Sequence, residues 1–252
     1  MSIVSFEHQP VLNLPRYILG GVISLVVFAG LLLAVLFFPG MSAADQVLSD
    51  WVQQLRNPLL DRGLLVLTLM GDFRNGMTIV ACVVLALFGM RRWWLGFHLS
   101  CVALSAMLSV SILKSVIERS RPGLIDGTYD SFSFPSGHAC TAALVAGLVA
   151  LLAAYRKPAA SRYAIYAIAA VIAAAIAFSR VYLLAHWPSD VLAGLALGYL
   201  LIVAFAWQLH IGMTLQLRYR VPLLMALCVV ACLHVALVYS DQAVRYGISW
   251  PH

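Results

Sequence analysis

Charged residues are scarce in this chain. Only 10% of its 252 residues are charged, whereas 63% are hydrophobic. A soluble domain usually carries about 25% charged residues and about 45–50% apolar ones. So few charges cannot cover a water-facing surface. The composition therefore excludes an ordinary soluble domain and predicts that lipid surrounds most of the chain.

Basic tracts and cysteine motifs are also missing. The formal net charge is +6, but the cationic residues stand singly or in small groups between apolar runs. That distribution is typical of membrane proteins, so no nucleic-acid partner is predicted. No cysteines form a CxxC pair, and all five lie inside apolar runs: Cys82, Cys101, Cys140, Cys228 and Cys232. Neither a disulfide framework nor a zinc site is expected.

Seven apolar runs are candidates for membrane-spanning helices, each of which needs about 20 residues. The second is short and is expected to begin nearer Asp72, and a further apolar stretch, Leu59–Met70, is either half-buried or part of a longer tilted helix. The fold prediction is an all-α polytopic transmembrane bundle in one domain, residues 1–252. The runs are Tyr17–Phe38, Met77–Met90, Leu95–Ile117, Ala139–Tyr155, Tyr163–Leu184, Val191–Trp207 and Val221–Tyr239.

An amphipathic helix is predicted over residues 45–56, ended by Pro58. Its apolar residues recur at helical spacing, and its polar residues, Asp45 among them, are expected on the opposite face. We expect this helix to lie on the membrane surface and shape one wall of the protein, with a lipid gate as the alternative.

The loops indicate an orientation. Arginine and lysine pairs occur in alternate loops, on the same side as Arg16 near the N-terminus, which predicts that this side is cytoplasmic. Nine of the ten acidic residues fall in the opposite loops. These cationic groups are Arg91/Arg92, Arg156/Lys157/Arg162 and Arg218/Arg220.

Three polar clusters interrupt the apolar pattern on the predicted non-cytoplasmic side. In the first, KSVIERSRP at 114–122, Lys114 and Arg121 are about two helical turns apart and can face the same phosphate. Anchoring of a helix end by cationic side chains is the alternative for this cluster alone. In the second, PSGH at 135–138, Ser136 and Gly137 form a turn into a helix N-terminus that favours an anion and presents His138 beside it.

The third cluster, SRVYLLAHWPSD at 179–190, contains a histidine and a carboxylate four residues apart. Asp190 is expected to accept a hydrogen bond from one ring nitrogen of His186 and leave the other nitrogen free as a nucleophile. Arg180 adds a planar cation, and Pro188 is expected to open the next helix.

Taken together, the clusters predict a phosphate site that needs no metal or other cofactor. Lys114, Arg121 and Arg180 supply three positive charges, which a phosphate dianion and Asp190 would neutralise. Ionisable groups are costly in lipid unless they have a function, so purely structural roles for all of them are disfavoured.

The order and spacing of these clusters, K-x6-RP, PSGH and SR-x5-H-x3-D, resemble the three signature motifs of the type 2 phosphatidic acid phosphatase (PAP2) superfamily. The resemblance implies a six-helix membrane core, so Val221–Tyr239 is expected as an additional, seventh span, with a re-entrant or peripheral segment as the alternative. It also implies that His186 attacks phosphorus, Asp190 orients it, and His138 protonates the leaving oxygen and later activates water. Lys114, Arg121, Ser136, Gly137 and Arg180 would hold the phosphoryl oxygens.

Several other polar residues are given structural roles. His98, His210 and His234 are expected to be hydrogen-bonded or interfacial, and Arg119 and Glu118 to form loop ion pairs. Asp126 and Asp130 are expected in a solvated loop. Gly194 and Gly198 form a GxxxG pattern that predicts close helix packing.

The predicted function is a bacterial inner-membrane phosphatase whose site faces the periplasm. Its substrate would be undecaprenyl diphosphate or a glycerolipid phosphate such as phosphatidylglycerophosphate or phosphatidic acid. A lipid phosphotransferase stays open, because the same residues would serve both reactions. A lipid-phosphate binder or transporter is disfavoured by the nucleophile–orienter pair. Lipid substrate and membrane lipids are the expected partners, and the sequence indicates no obligate protein partner.

Overall fold

The computed structural model describes residues 14–122, 131–155, 157–212 and 220–248. In these ranges every regular element is a helix, so the all-α prediction is confirmed. In chain order the helices are α1 (Leu14–Phe37), α2 (Gly40–Gln53), α3 (Pro58–Met70), α4 (Phe73–Gly89), α5 (Trp93–Ile117), α6 (Gly137–Ala154), α7 (Ala159–Tyr182), α8 (Pro188–Gly212) and α9 (Arg220–Arg245).

Within the described ranges, six helices are long and apolar enough to cross a membrane: α1, α5, α6, α7, α8 and α9. Helices α3 and α4 pass the same test as a pair bent by 42° at their junction, which gives up to seven candidate spans when the bent pair is counted as one. The predicted stretch Leu59–Met70 is the first helix of this pair. Asp72 caps α4 by accepting from the backbone N–H of Arg74 at 2.8 Å, which explains why the helix begins there.

Helices α6 and α8 form the centre of the bundle. More than half of the residues in their most apolar windows are buried, against 6% for α1, α5 and α9. A Cβ at Gly194 would collide with the carbonyl oxygen of Ser136, and one at Gly198 with that of Cys140. The predicted role of this GxxxG pair in close packing is thus confirmed, and it brings the start of α8 against the start of α6.

The amphipathic segment forms a helix, and its apolar and polar residues lie on opposite faces; its place on the membrane surface stays a prediction. Helix α2 starts five residues earlier than predicted, at Gly40, and ends at Gln53. Leu48 and Trp51 are exposed, whereas Asp45 is 1% exposed and points into the protein. The reason is a polar network around the start of α8, in which Asp45 is an acceptor, so this face of α2 turns inward.

Candidate active site

The three clusters meet at one end of the bundle. The last turns of α5 and α7 and the first turns of α6 and α8 lie at this end, and His186 occupies the turn between α7 and α8. The backbone N–H of Ser136 donates to the carbonyl oxygen of Asp190 at 2.9 Å, which joins the second cluster to the third. The arginine pair Arg91/Arg92, in the turn between α4 and α5, belongs to the opposite end.

The contact between His186 and Asp190 differs from the prediction. His186 Nδ1 lies 3.6 Å from Asp190 Oδ2, so the two groups are neighbours but beyond hydrogen-bond distance. The same carboxylate oxygen accepts from the backbone N–H of Trp187 at 2.9 Å and from the hydroxyl of Ser133. These two donors hold Asp190 slightly away from the ring.

The other ring nitrogen of His186 faces a cation. Arg121 Nη1 lies 3.2 Å from His186 Nε2 and also donates to the carbonyl oxygen of Ala185 at 2.6 Å. A guanidinium has donors only, so the contact requires a lone pair on Nε2 and places the ring proton on Nδ1, towards Asp190.

The surroundings of His186 keep its ring neutral. Burial, followed by the charges of Arg121, Lys114 and Arg180, holds the pKa of His186 well below its usual range. All three cations predicted to hold phosphate are therefore close enough to act on this imidazole. A neutral ring with Nε2 unprotonated has the form that a nucleophile requires.

The cations reach the site from different elements. Lys114 Nζ donates to the carbonyl oxygen of Phe132, and Arg121 Nε donates to that of Ser131 at 2.9 Å. Arg180 is almost completely buried, and its Nη1 donates to Thr68 Oγ1 at 2.6 Å. The same Arg180 nitrogen donates to Tyr246 Oη at 2.9 Å.

At the start of α6, Ser136 and Gly137 have the expected geometry of a helix N-terminus. Ser136 is the N-cap residue, and its Oγ accepts from the backbone N–H of Ala139 at 3.4 Å. Gly137 is the first helical residue, and a Cβ there would meet only Val110 at ordinary contact distance. Helix α6 therefore begins at the end of the bundle where the three clusters meet, and a helix N-terminus favours an anion.

Arg119 supports Asp190, a role that the sequence interpretation missed. It forms ion pairs with Asp190 Oδ1 and Asp45 Oδ2, both at 2.6 Å, and donates to Ser189 Oγ at 2.7 Å. Asp45 also accepts from the backbone N–H of Ser189 at 2.9 Å. The predicted ion pairing of Arg119 is thus confirmed, but its partners are the buried carboxylates of α2 and α8. Their separation in sequence explains why no local pattern indicated them.

His138 lies in a more open environment. Its side chain is 24% exposed, and its Nε2 is 3.9 Å from Asp72 Oδ2. The other oxygen of Asp72 is 3.4 Å from Nε2 of His234 on α9. His234 was expected to be hydrogen-bonded or interfacial; it lies beside an acidic residue next to the site. The sequence signal for these contacts was Asp72 itself, an aspartate between two apolar stretches, but by itself it predicted only the start of a helix.

The sequence also predicted a loop with two aspartates and a site without a metal ion. Asp126 and Asp130 lie outside the described residues. Within the described ranges, no group of three or more His, Cys, Asp or Glu side chains is arranged to hold a metal ion. The prediction of a site without metal stays a prediction.

Comparisons with known proteins agree with the motif pattern. The model of the PAP2 superfamily matches residues 95–214. Phosphatidylglycerophosphatase B of Bacillus subtilis is 33% identical over 182 residues, covering 71% of this chain and 90% of that protein. Lipid A 1-phosphatase of Rhizobium etli is 34% identical over 108 residues, covering 42% of this chain and 46% of that protein.

A solved structure shares the fold. The crystal structure of a transmembrane PAP2-type phosphatidylglycerolphosphate phosphatase from Bacillus subtilis superposes with a TM-score of 0.65 and 28% identity, covering 79% of this chain and 99% of that one. The matched sequence, the shared helical bundle and the gathering of three motifs at one end lead to the same conclusion: the chain belongs to the PAP2 superfamily and is a multi-pass bacterial membrane phosphatase.

Proposed function

We propose that this enzyme hydrolyses lipid phosphates or diphosphates through a phosphohistidine formed on His186. The observation that carries the proposal is the state of the His186 ring. Its Nε2 bears a lone pair and faces Arg121, its Nδ1 faces Asp190, and the ring is buried and neutral. A binding site alone has no need of a nucleophile held in this way.

In the first step, His186 Nε2 attacks phosphorus, and the bond from phosphorus to the leaving lipid oxygen breaks. His138 gives its proton to that oxygen, so the lipid product leaves as an alcohol or as a lipid monophosphate. The His186 ring gains positive charge as the P–N bond forms, and Asp190 at 3.6 Å stabilises that charge.

In the second step, water replaces the lipid. His138, now neutral, takes a proton from the water as its oxygen attacks the phosphorus. The P–N bond breaks, its electron pair returns to His186 Nε2, and inorganic phosphate is released. Both steps pass through a state in which charge is spread over the phosphoryl oxygens. Lys114, Arg121, Arg180, Ser136 and the start of α6 would stabilise this charge.

The charges of the site suit a phosphate dianion. Arg119 and Asp45 cancel each other, so the three phosphate-facing cations and Asp190 leave a net charge of two positive units. A phosphate monoester dianion neutralises that charge without a metal ion. This balance supports catalysis that does not depend on an added divalent cation.

The substrate is a membrane lipid with a terminal phosphate, either undecaprenyl diphosphate or a glycerolipid phosphate. The name of the Bacillus subtilis relative favours phosphatidylglycerophosphate. The alternate positive loops support an orientation with a cytoplasmic N-terminus and the site facing the periplasm of the inner membrane.

The test is phosphate release from a panel of lipid phosphates by the purified protein in detergent with EDTA present. Wild type should release phosphate, and His186→Ala should release at least about 1,000-fold less, because the nucleophile is gone. A rapid acid-free quench should capture a phosphoenzyme in wild type only. Release that is unchanged in His186→Ala would disprove the nucleophile. Transfer of the phosphoryl group to an added lipid alcohol in preference to water would identify a phosphotransferase.

A further inference from the structure

A polar cavity lies beside the active site, between the junction of α3 and α4 and the C-terminal half of α9. It encloses about 260 Å³. We call it the α3–α9 cavity. Five of its lining side chains are polar: Asp72, Arg74, His234, Gln242 and Arg245. Arg74 lies in the first turn of α4 and Arg245 is the last residue of α9, and both are exposed.

The cavity adjoins the site on the side of His138. Asp72 lines the cavity and approaches His138 Nε2 at 3.9 Å. The preceding Gly71 neighbours the start of α6, since a Cβ there would lie at ordinary contact distance, 3.6 Å, from the carbonyl oxygen of His138. If His138 is the acid that protonates the leaving oxygen, the α3–α9 cavity lies where the leaving group extends.

The chemistry of the lining suits a second anion. Two guanidiniums and one amide are donors matched to phosphate oxygens. The Asp72 carboxylate lies 3.9 Å from His138 Nε2 and 3.4 Å from His234 Nε2, and the two arginines exceed its single negative charge.

We propose that the α3–α9 cavity binds a second phosphate carried by the leaving group. This inference rests on the proposed function, since it takes His138 as the leaving-group acid. The proximal phosphate of a prenyl diphosphate and the phosphodiester of phosphatidylglycerophosphate both supply that anion. Phosphatidic acid has no phosphate on its leaving group. The cavity therefore selects lipids with two phosphates over lipids with one.

The test compares kcat/KM for a prenyl diphosphate, phosphatidylglycerophosphate and phosphatidic acid in the same mixed micelles with EDTA. The variants are Arg74→Gln, Arg245→Gln and the double variant. Lys157→Gln is the matched control, because Lys157 is an exposed cation beyond the opposite end of α6. In the double variant, the preference for a two-phosphate lipid over phosphatidic acid should fall about 10- to 100-fold, the effect of losing charge-assisted hydrogen bonds.

The two sources of the second phosphate give different results. A loss confined to the prenyl diphosphate assigns the cavity to the proximal phosphate of a diphosphate, and a loss confined to phosphatidylglycerophosphate assigns it to the phosphodiester. Preference ratios that stay within about twofold of wild type for both lipids would overturn the proposal. So would an equal fall for all three lipids.

Product inhibition of the wild-type enzyme provides a readout that does not depend on folded variants. A lipid product that keeps one phosphate should inhibit about tenfold more tightly than diacylglycerol, and added salt should weaken that difference. Equal inhibition by both products would also overturn the proposal. Failure of the proposed function is recognised separately, as absence of phosphate release from every lipid or as full activity in His186→Ala.

Discussion

The two histidines of the site are supported in different ways. The side chain of His186 is 3% exposed, and its carboxylate partner Asp190 is fully buried. His138 is 24% exposed, and its neighbour Asp72 is 29% exposed. The difference matches the proposed roles. A nucleophile that must meet phosphorus in one geometry benefits from fixed supports, whereas an acid that serves first a lipid and then water needs an open side.

The largest effect should come from the buried carboxylate. Asp190→Asn removes the charge that stabilises the His186 imidazolium and can reverse the tautomer, so kcat should fall about 1,000- to 10,000-fold. Single-turnover phosphoenzyme formation measures this step directly.

Asp72→Asn is the matched comparison on the open side. Asparagine can still cap α4, as Asp72 does through the N–H of Arg74. We therefore expect a folded protein whose kcat falls about tenfold or less, since Asp72 is 3.9 Å from a partly exposed histidine. An equal fall in kcat in Asp190→Asn and Asp72→Asn would show that the two carboxylates do not support their histidines differently.

The next prediction separates protonation of the leaving oxygen from the attack of His186 on phosphorus. His138→Ala should lower kcat about 100- to 10,000-fold for a lipid phosphate, because a lipid alkoxide must be protonated as it leaves. For an aryl phosphate, whose phenolate leaves without a proton, phosphoenzyme formation should be nearly normal and only its hydrolysis slow. Burst kinetics with the aryl substrate measure the two steps. If formation is equally slow for both leaving groups, His138 is not the leaving-group acid.

A smaller effect is expected from substitution of Arg119, which forms an ion pair with Asp190. Arg119→Gln leaves Asp45 and Asp190 buried without their shared cation, which should cost about 3–5 kcal/mol of folding free energy. In folded protein kcat should fall about 10- to 100-fold as Asp190 moves. Thermal unfolding and kcat are both measured.

Arg119→Lys is the control for charge alone. It keeps the cation, but one ammonium cannot reproduce the fork that contacts Asp45 and Asp190, each at 2.6 Å. If Arg119→Lys recovers the stability but not kcat, the charge of residue 119 stabilises the fold, and the forked geometry of the guanidinium positions Asp190. Wild-type kcat in Arg119→Gln would show that this ion pairing does not position Asp190.

The smallest effect is a shift along the pH axis. The pKa of His186 is held below its usual value, so the ring stays neutral through neutral pH, and the acid limb of the activity profile reports its protonation. Arg121→Gln removes the largest of the cationic contributions, which favours the protonated ring and raises this pKa. The acid limb of kcat/KM should therefore move to higher pH, by about one unit or less. A shift to lower pH, or none, would contradict the neutral-nucleophile assignment.

Local patterns were sufficient for much of the fold. Apolar runs predicted every long helix, and Asp72, Ser136 and Pro188 indicated helix starts because capping and proline effects act within one turn. The tertiary partners of Asp45 were not predictable in this way. The amphipathic pattern placed Asp45 opposite the apolar residues of its helix, but its hydrogen-bond partner Ser189 is 144 residues away in the chain.

The site shows the same division between features that local sequence patterns predict and features that tertiary contacts decide. By itself, the sequence determined the family and predicted the candidate site residues, because K-x6-RP, PSGH and SR-x5-H-x3-D are readable as residue types at set spacings. Only the tertiary structure decided how those residues are supported. Arg119 between two buried carboxylates, and Asp72 between His138 and His234, depend on which helix ends pack together. Such packing joins residues far apart in the chain, and no local spacing encodes it.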